Sequence, residues 1–240
     1  MVVVGVVTWA SVVSVGTTFF TVSSVGAVSC TVSCVVSLET TFKPPVGCAV
    51  VPVVSATVLA LTACSDKPAF TNLDITGAKS FGKDFSLTDH TGKRRTLADF
   101  RGKVVVMFFG YTHCPDVCPT TLAELRGVMD TLGKDADRVQ VLFVTVDPER
   151  DTQDLLAKYV PAFDPRFIGL RPADEAELKK VASDFKVFYS KVPGSKPDNY
   201  TMDHTAGSYM FDTKGNLRLF IKHGQGPEPI AHDVKLLLNE

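Results

Sequence analysis

The chain carries no excess of charge of either sign: its 240 residues hold 25 Lys+Arg against 26 Asp+Glu. That balance argues against a protein whose main task is wrapping nucleic acid, which needs a basic surplus. Charge is also nearly absent from one end. Only Glu39 and Lys43 are charged among the first 64 residues, so almost all charge belongs to the remainder. Cysteine is unevenly placed too. Cys30, Cys34, Cys48 and Cys64 lie in the uncharged piece, and only Cys114 and Cys118 in the charged one. A disulfide framework of six cysteines is therefore excluded.

Residues 1–42 are rich in Val, Ser and Thr, and have neither strand alternation nor a helical stripe. Such a tract is β-prone and lacks the charges that guard against aggregation. No methionine occurs between Met1 and Met107. We expect translation to begin at a valine codon near residue 43, which makes 1–42 a mis-assigned start. Cys30 and Cys34 share the separation of the second pair, but their surroundings offer no anchoring structure.

Residues 43–63 read as a lipoprotein signal segment. Lys43 precedes an apolar stretch that ends in Leu61-Thr62-Ala63-Cys64. A positive residue, an apolar run and a small-residue exit are the parts of a secretory signal, and the final tetrapeptide resembles the bacterial lipobox. That resemblance implies cleavage before Cys64 and a lipid on its sulfur. A transmembrane anchor is the competing reading, weakened by the shortness of the run and by Pro44, Pro45 and Pro52. Residues 64–80 follow as a polar, lipidated tether, and the domain spans 81–240.

In the domain, Val104–Phe109 is a continuous apolar run and Val139–Val146 a largely apolar one containing Gln140 and Thr145; both predict buried strands. Leu122, Leu125, Val128, Met129 and Leu132 recur at helical spacing up to Gly133. Asp151 or Thr152 opens a helix to Tyr159, and Asp174 opens another to Phe185. Strands are expected at 85–88, at 167–170, and in a hairpin of 208–211 and 217–221, with a last helix near 229–238. Strands alternating with helices and closed by a hairpin predict one α/β domain with a mixed sheet.

Cys114-Pro115-Asp116-Val117-Cys118-Pro119 begins where the first buried strand ends and a helix starts. Ligands gather at the carboxyl ends of strands in such sheets. A helix start favours thiolates, so both cysteines are expected to be readier nucleophiles or soft-metal ligands than ordinary thiols. The i, i+4 spacing suits bridging one metal ion or closing a disulfide. A purely stabilising disulfide would close a very short loop, which gains least.

Three elements together resemble the Sco/SenC family of thioredoxin-like copper proteins that serve cytochrome c oxidase assembly. They are Cys114–Pro119, Val146-Asp147-Pro148-Glu149-Arg150-Asp151-Thr152, and Tyr200-Thr201-Met202-Asp203-His204-Thr205. The last follows a Y-x-V-D-H-S pattern, with Met202 and Thr205 as departures. The resemblance covers about residues 70–238. It implies a thioredoxin-like fold with a mixed central sheet flanked by helices, extended at the N-terminus by a strand or hairpin. It also implies that Cys114, Cys118 and His204 bind one copper ion. Two thiolates and an imidazole are a soft set that favours Cu(I), with Cu(II) as an alternative cargo. A structural zinc site would want a fourth protein ligand.

Asp203 orients the ligand or is an ordinary turn residue, and Asp116 tunes the thiols or caps the helix. His113 is expected in solvent, and His90 and His232 in a turn and on the surface; His223, near a Gly-Gln-Gly-Pro loop, is a candidate for an interaction surface. The Asp147–Thr152 element joins a strand to a helix. The expected function is a metallochaperone for the binuclear copper site of the oxidase. The alternative is a thiol–disulfide oxidoreductase that reduces that site's cysteines; a peroxiredoxin-like peroxidase ranks third. Expected partners are the copper-site subunit, an upstream periplasmic copper donor, a thioredoxin-type reductant and the membrane through lipidated Cys64. The domain would stand in the periplasm.

Overall fold

The computed structural model describes residues 69–240 apart from 83, 197 and 198. The 1–42 tract, the 43–63 signal segment and the lipid site at Cys64 lie outside the described residues. Along the chain, β1 (Leu73–Asp74), β2 (Ser86–Asp89) and β3 (Arg94–Thr96) precede the apolar runs, which form β4 (Val104–Gly110) and β5 (Val139–Thr145). There follow β6 (Ile168–Arg171), β7 (Tyr189–Lys196), β8 (Asn199–His204), β9 (Ser208–Phe211) and β10 (Leu217–Ile221). The helices are α1 (Val117–Leu132), α2 (Gln153–Tyr159), α3 (Glu175–Phe185) and α4 (Pro227–Leu238).

Every residue of β4 and β5 is buried, the polar Gln140 and Thr145 included. They pair in parallel from Val104↔Val139 to Gly110↔Thr145. The main sheet has the order β1-β10-β9-β4-β5-β6-β2-β3, with β4, β5 and β6 parallel and the rest antiparallel. The α/β class and the mixed sheet match the expectation. Strand alternation divides the aromatic residues between the two faces. Phe109 packs with Phe185 of α3 and with Tyr209 at 5.9 and 6.1 Å between ring centres. Phe108 pairs with Phe143 at 5.9 Å. That second pair underlies the start of α1.

Helix limits follow local chemistry. Thr152 caps α2 by accepting from the Leu155 N–H, and Asp174 caps α3 by accepting from the Glu177 N–H. Gly133, at φ +57°, turns the chain out of α1. In the β9–β10 turn, the Asp212 carboxylate accepts from the Lys214 and Asn216 N–H groups at 2.9 and 2.8 Å.

Four strands, β1, β3, β7 and β8, have no counterpart among those read from the residue pattern. The 64–80 stretch is docked from Thr71 onward. The buried Asp233 carboxylate of α4 accepts from the Thr71 and Asn72 N–H groups, both at 2.8 Å, and β1 pairs with β10. Strand β3 is three polar residues whose only order is its pairing with β2. The β7–β8 ribbon stands apart from the main sheet, and Pro193 and Gly194 inside it resemble a loop. Among the described residues, no helix is long and apolar enough to cross a membrane.

Candidate metal centre

The centre is built where β4 ends. Gly110 is the last residue of that strand, and the chain must turn at once into α1. A methyl group at Gly110 would stand 3.0 Å from Cys118 Sγ, 2.8 Å from the Phe143 ring and 2.9 Å from the Phe108 ring. Glycine is therefore the residue that lets the Cys118 sulfur rest on the strand end. The Cys118 side chain is wholly buried there, while Cys114 is half-buried at the surface. Both thiols are free.

Asp116 occupies the capping position of α1, yet its side chain accepts no backbone N–H. Its Oδ1 instead takes the Thr120 hydroxyl at 3.4 Å. The Cys118 N–H, one of the orphan donors of a helix start, points at Cys114 Sγ at 3.4 Å. One sulfur thus does the capping that a carboxylate would usually do.

His204 reaches the same place from the end of β8. Its Nδ1 lies 3.0 Å from the Thr205 carbonyl oxygen, so Nδ1 carries the proton and donates it there. Nε2 is left with its lone pair, facing Cys118 Sγ at 3.5 Å. The ring stands edge-on to Tyr111 at 5.9 Å and to Phe108 at 6.3 Å, which fixes its plane. Burial lowers the pKa of His204 and keeps the imidazole neutral. Burial also pushes the Cys118 thiol up, with the adjacent Cys114 adding to the shift. The expectation of two activated thiolates therefore fails at Cys118: at this helix start, desolvation outweighs the dipole.

A cleft of about 410 Å³ opens above, lined by Tyr111, Cys114, Pro115, Asp116, Val117, Phe188, Thr201, Met202, Asp203, His204 and Ala206. Phe188, at 64% exposure, forms its rim. Among the described residues, no three His, Cys, Asp or Glu side chains already converge on one point as a metal would require. Cys118 and His204 are paired, and Cys114 is turned to the Cys118 N–H. The donors nonetheless fit a soft cation: two sulfurs and a neutral imidazole nitrogen, with the oxygen donors Asp116 and Asp203 on the cleft wall. Binding would have to displace the Cys118 proton.

The Asp147–Thr152 element does more than join β5 to α2. Buried Asp151 accepts from the Thr112 N–H at 3.1 Å, from the Thr112 hydroxyl at 2.5 Å and from the Thr145 hydroxyl at 2.6 Å. Burial raises its pKa. It thereby ties the cysteine loop to the end of β5. Asp147 accepts from Arg150 Nε at 2.5 Å and from the Tyr200 hydroxyl at 2.8 Å, and Arg150 Nη1 donates to the Tyr200 carbonyl at 2.8 Å. The Arg150 guanidinium lies 3.5 Å from the centre of the Tyr200 ring. The ribbon that carries His204 is therefore bolted to the loop after β5. The available signal was four charged residues, Asp147, Glu149, Arg150 and Asp151, closely following a fully buried strand.

Other singled-out residues sit elsewhere. Asp203 is exposed opposite Ser190; its charge acts on His204, but the Thr205 carbonyl makes the orienting bond. His113 is half-exposed, 3.0 Å from the Thr112 hydroxyl and not on the cleft. His223 bonds the Thr121 hydroxyl of α1 at 2.9 Å. His90 is no free turn residue: its Nδ1 accepts from the Gly169 N–H at 2.9 Å, and burial lowers its pKa. His232 lies beside Asp233.

Residues 74–239 match the SCO1/SenC family. A mitochondrial SCO2 homolog of Danio rerio is 45% identical over 154 residues, which are 63% of this chain and 55% of that protein. The chain spans only 55 to 60% of the length of this relative and its mammalian counterparts from cattle and mouse. The copper-bound structure of Bradyrhizobium japonicum ScoI is 45% identical, with a TM-score of 0.60 over 65% of this chain and 98% of that one. Copper-bound Arabidopsis thaliana ScoI is 33% identical, with a TM-score of 0.62 over 67% of this chain and 99% of that one. The fold is accordingly the thioredoxin-like α/β fold of those structures, and the chain belongs to the SCO1/SenC family.

Proposed function

We propose that this chain is a copper metallochaperone, holding one copper ion between Cys114, Cys118 and His204 and passing it to the binuclear copper site of cytochrome c oxidase during assembly. The observation that carries this reading is the approach of His204 Nε2 to Cys118 Sγ, with Nδ1 already tied to a carbonyl. Copper-bound structures of similar proteins support the cargo. The resemblance of the three motifs to the Sco/SenC pattern supports the destination.

Two thiolates and an imidazole favour Cu(I), and the same donors can also take Cu(II). Cys118 and His204 form the buried half of the site, and Cys114 the reachable half. An incoming thiolate from the copper-site subunit meets Cys114 first, past Phe188 at the rim. An ion with an open or weakly held position can accept that ligand before it leaves its own. An upstream periplasmic donor would load the site, and a thioredoxin-type reductant would keep both thiols reduced. Lipidated Cys64 would hold the domain at the membrane of the cell envelope.

The half-buried Cys114 beside a fully buried Cys118 favours a second reading, thiol–disulfide exchange. Cys114 would attack a partner disulfide, and Cys118 would then resolve the mixed disulfide, giving a Cys114–Cys118 disulfide and two partner thiols. Cu(I) titration of His204→Ala separates the two. The metallochaperone reading expects copper binding to be lost while Cys114 still forms a mixed disulfide. Unchanged copper affinity in that variant would remove His204 from the site.

A further inference from the structure

We infer that Met202 supplies a fourth, thioether donor to the copper ion, an inference that rests on the copper-binding reading above. Met202 and His204 are two residues apart on β8, so they share a face, and both are more buried than Thr201 and Asp203 beside them. Both line the cleft with Cys114, and Met202 is 5% exposed. The other polar cleft residues offer oxygen: the Tyr111 and Thr201 hydroxyls and the Asp116 and Asp203 carboxylates. Among the described residues lining the cleft, Met202 is therefore the one soft donor besides Cys114 and His204. Soft thioethers suit Cu(I).

The position itself has no need of sulfur. The motif pattern that this chain resembles has valine there, and a β-branched residue fits a strand better than methionine does. Methionine's three rotatable bonds give it reach. It also lines a second hollow of about 330 Å³ beside Asp147 and Glu175. A neutral thioether needs no deprotonation, so it adds a donor without releasing a proton. It is also the donor most easily displaced by an incoming partner ligand.

Copper-edge X-ray absorption on the full chain tests this, with selenomethionine in place of methionine and one Cu(I) per chain loaded without oxygen. The expected result is a copper–selenium scattering path that disappears in Met202→Leu, a change that nearly conserves volume. Cu(I) affinity of Met202→Leu, read by competition, should fall at least as far as loss of an outer-shell partner brings, about tenfold. The other described methionines, Met107, Met129 and Met210, line neither hollow. Bound copper without a selenium path, or a path that persists in Met202→Leu, would overturn the inference and leave the copper reading standing. Failure of the unsubstituted chain to bind copper would overturn both. If Met202→Leu does not fold, the presence or absence of the path in the unsubstituted chain decides.

Discussion

The two halves of the candidate metal centre are held by different physics. The cysteine half sits on β4 and β5, whose fourteen residues are all buried, and is positioned by close packing against Phe108, Phe143 and Gly110. The histidine half rides on a ribbon that is mostly exposed and apart from the main sheet. Its position comes from a few polar bonds between Arg150, Asp147 and Tyr200. Packing errors are costly and rigid, whereas polar clamps contribute less and can be released. One half is thus a packed socket and the other a clamped arm.

The largest disturbance is expected where the cysteine loop is tied to the end of β5. Asp151→Ala leaves the Thr112 and Thr145 donors without their buried acceptor, and should destabilise the domain by about 3 kcal/mol. Urea unfolding would read this, and copper affinity should fall with it. Gly110→Ala probes the socket alone. Its methyl group would press on Cys118 Sγ and Phe143, at a cost of about 1–3 kcal/mol by overpacking. Copper binding and Cys118 alkylation in the partly opened protein should both change.

Tyr200→Phe probes the arm. Loss of its bond to Asp147 should cost about 1 kcal/mol. Copper affinity should drop while mixed-disulfide formation at Cys114 stays as it was. Equal damage to both would erase the distinction between socket and arm. The smallest effect is in pH. His90 and His204 are kept neutral by burial, below the ordinary value of 6.5. The unfolded chain then binds more protons, so their contribution is full above that value and is lost as pH falls through the lowered values. His90→Asn keeps an acceptor near the Gly169 N–H without titrating, and should flatten the acid limb of a stability–pH curve.

The same contrast decides what could be read in the sequence. The runs that became β4 and β5 announce burial on both faces, and Thr152 and Asp174 announce helix starts, because these signals are local. The site's cysteines are visible for the same reason. The ribbon was not legible, since Pro193 and Gly194 imitate a loop and its order comes from residues about fifty positions away. Strand β1, two residues long, exists only through its partner. Asp151 looked like a linker residue because only the fold brings Thr112 to it. The expected activation of Cys118 failed because a helix start is a sequence feature, whereas burial of the sulfur is not.

Copper stoichiometry under anaerobic conditions tests the shared site most directly, measured on the chain and on Cys114→Ala, Cys118→Ala and His204→Ala separately. One copper per chain, with loss of tight binding in all three variants, is the expected result. Tight binding of one copper in His204→Ala, equal to that of the unsubstituted chain, would contradict it, because the socket would then hold its cargo without the arm.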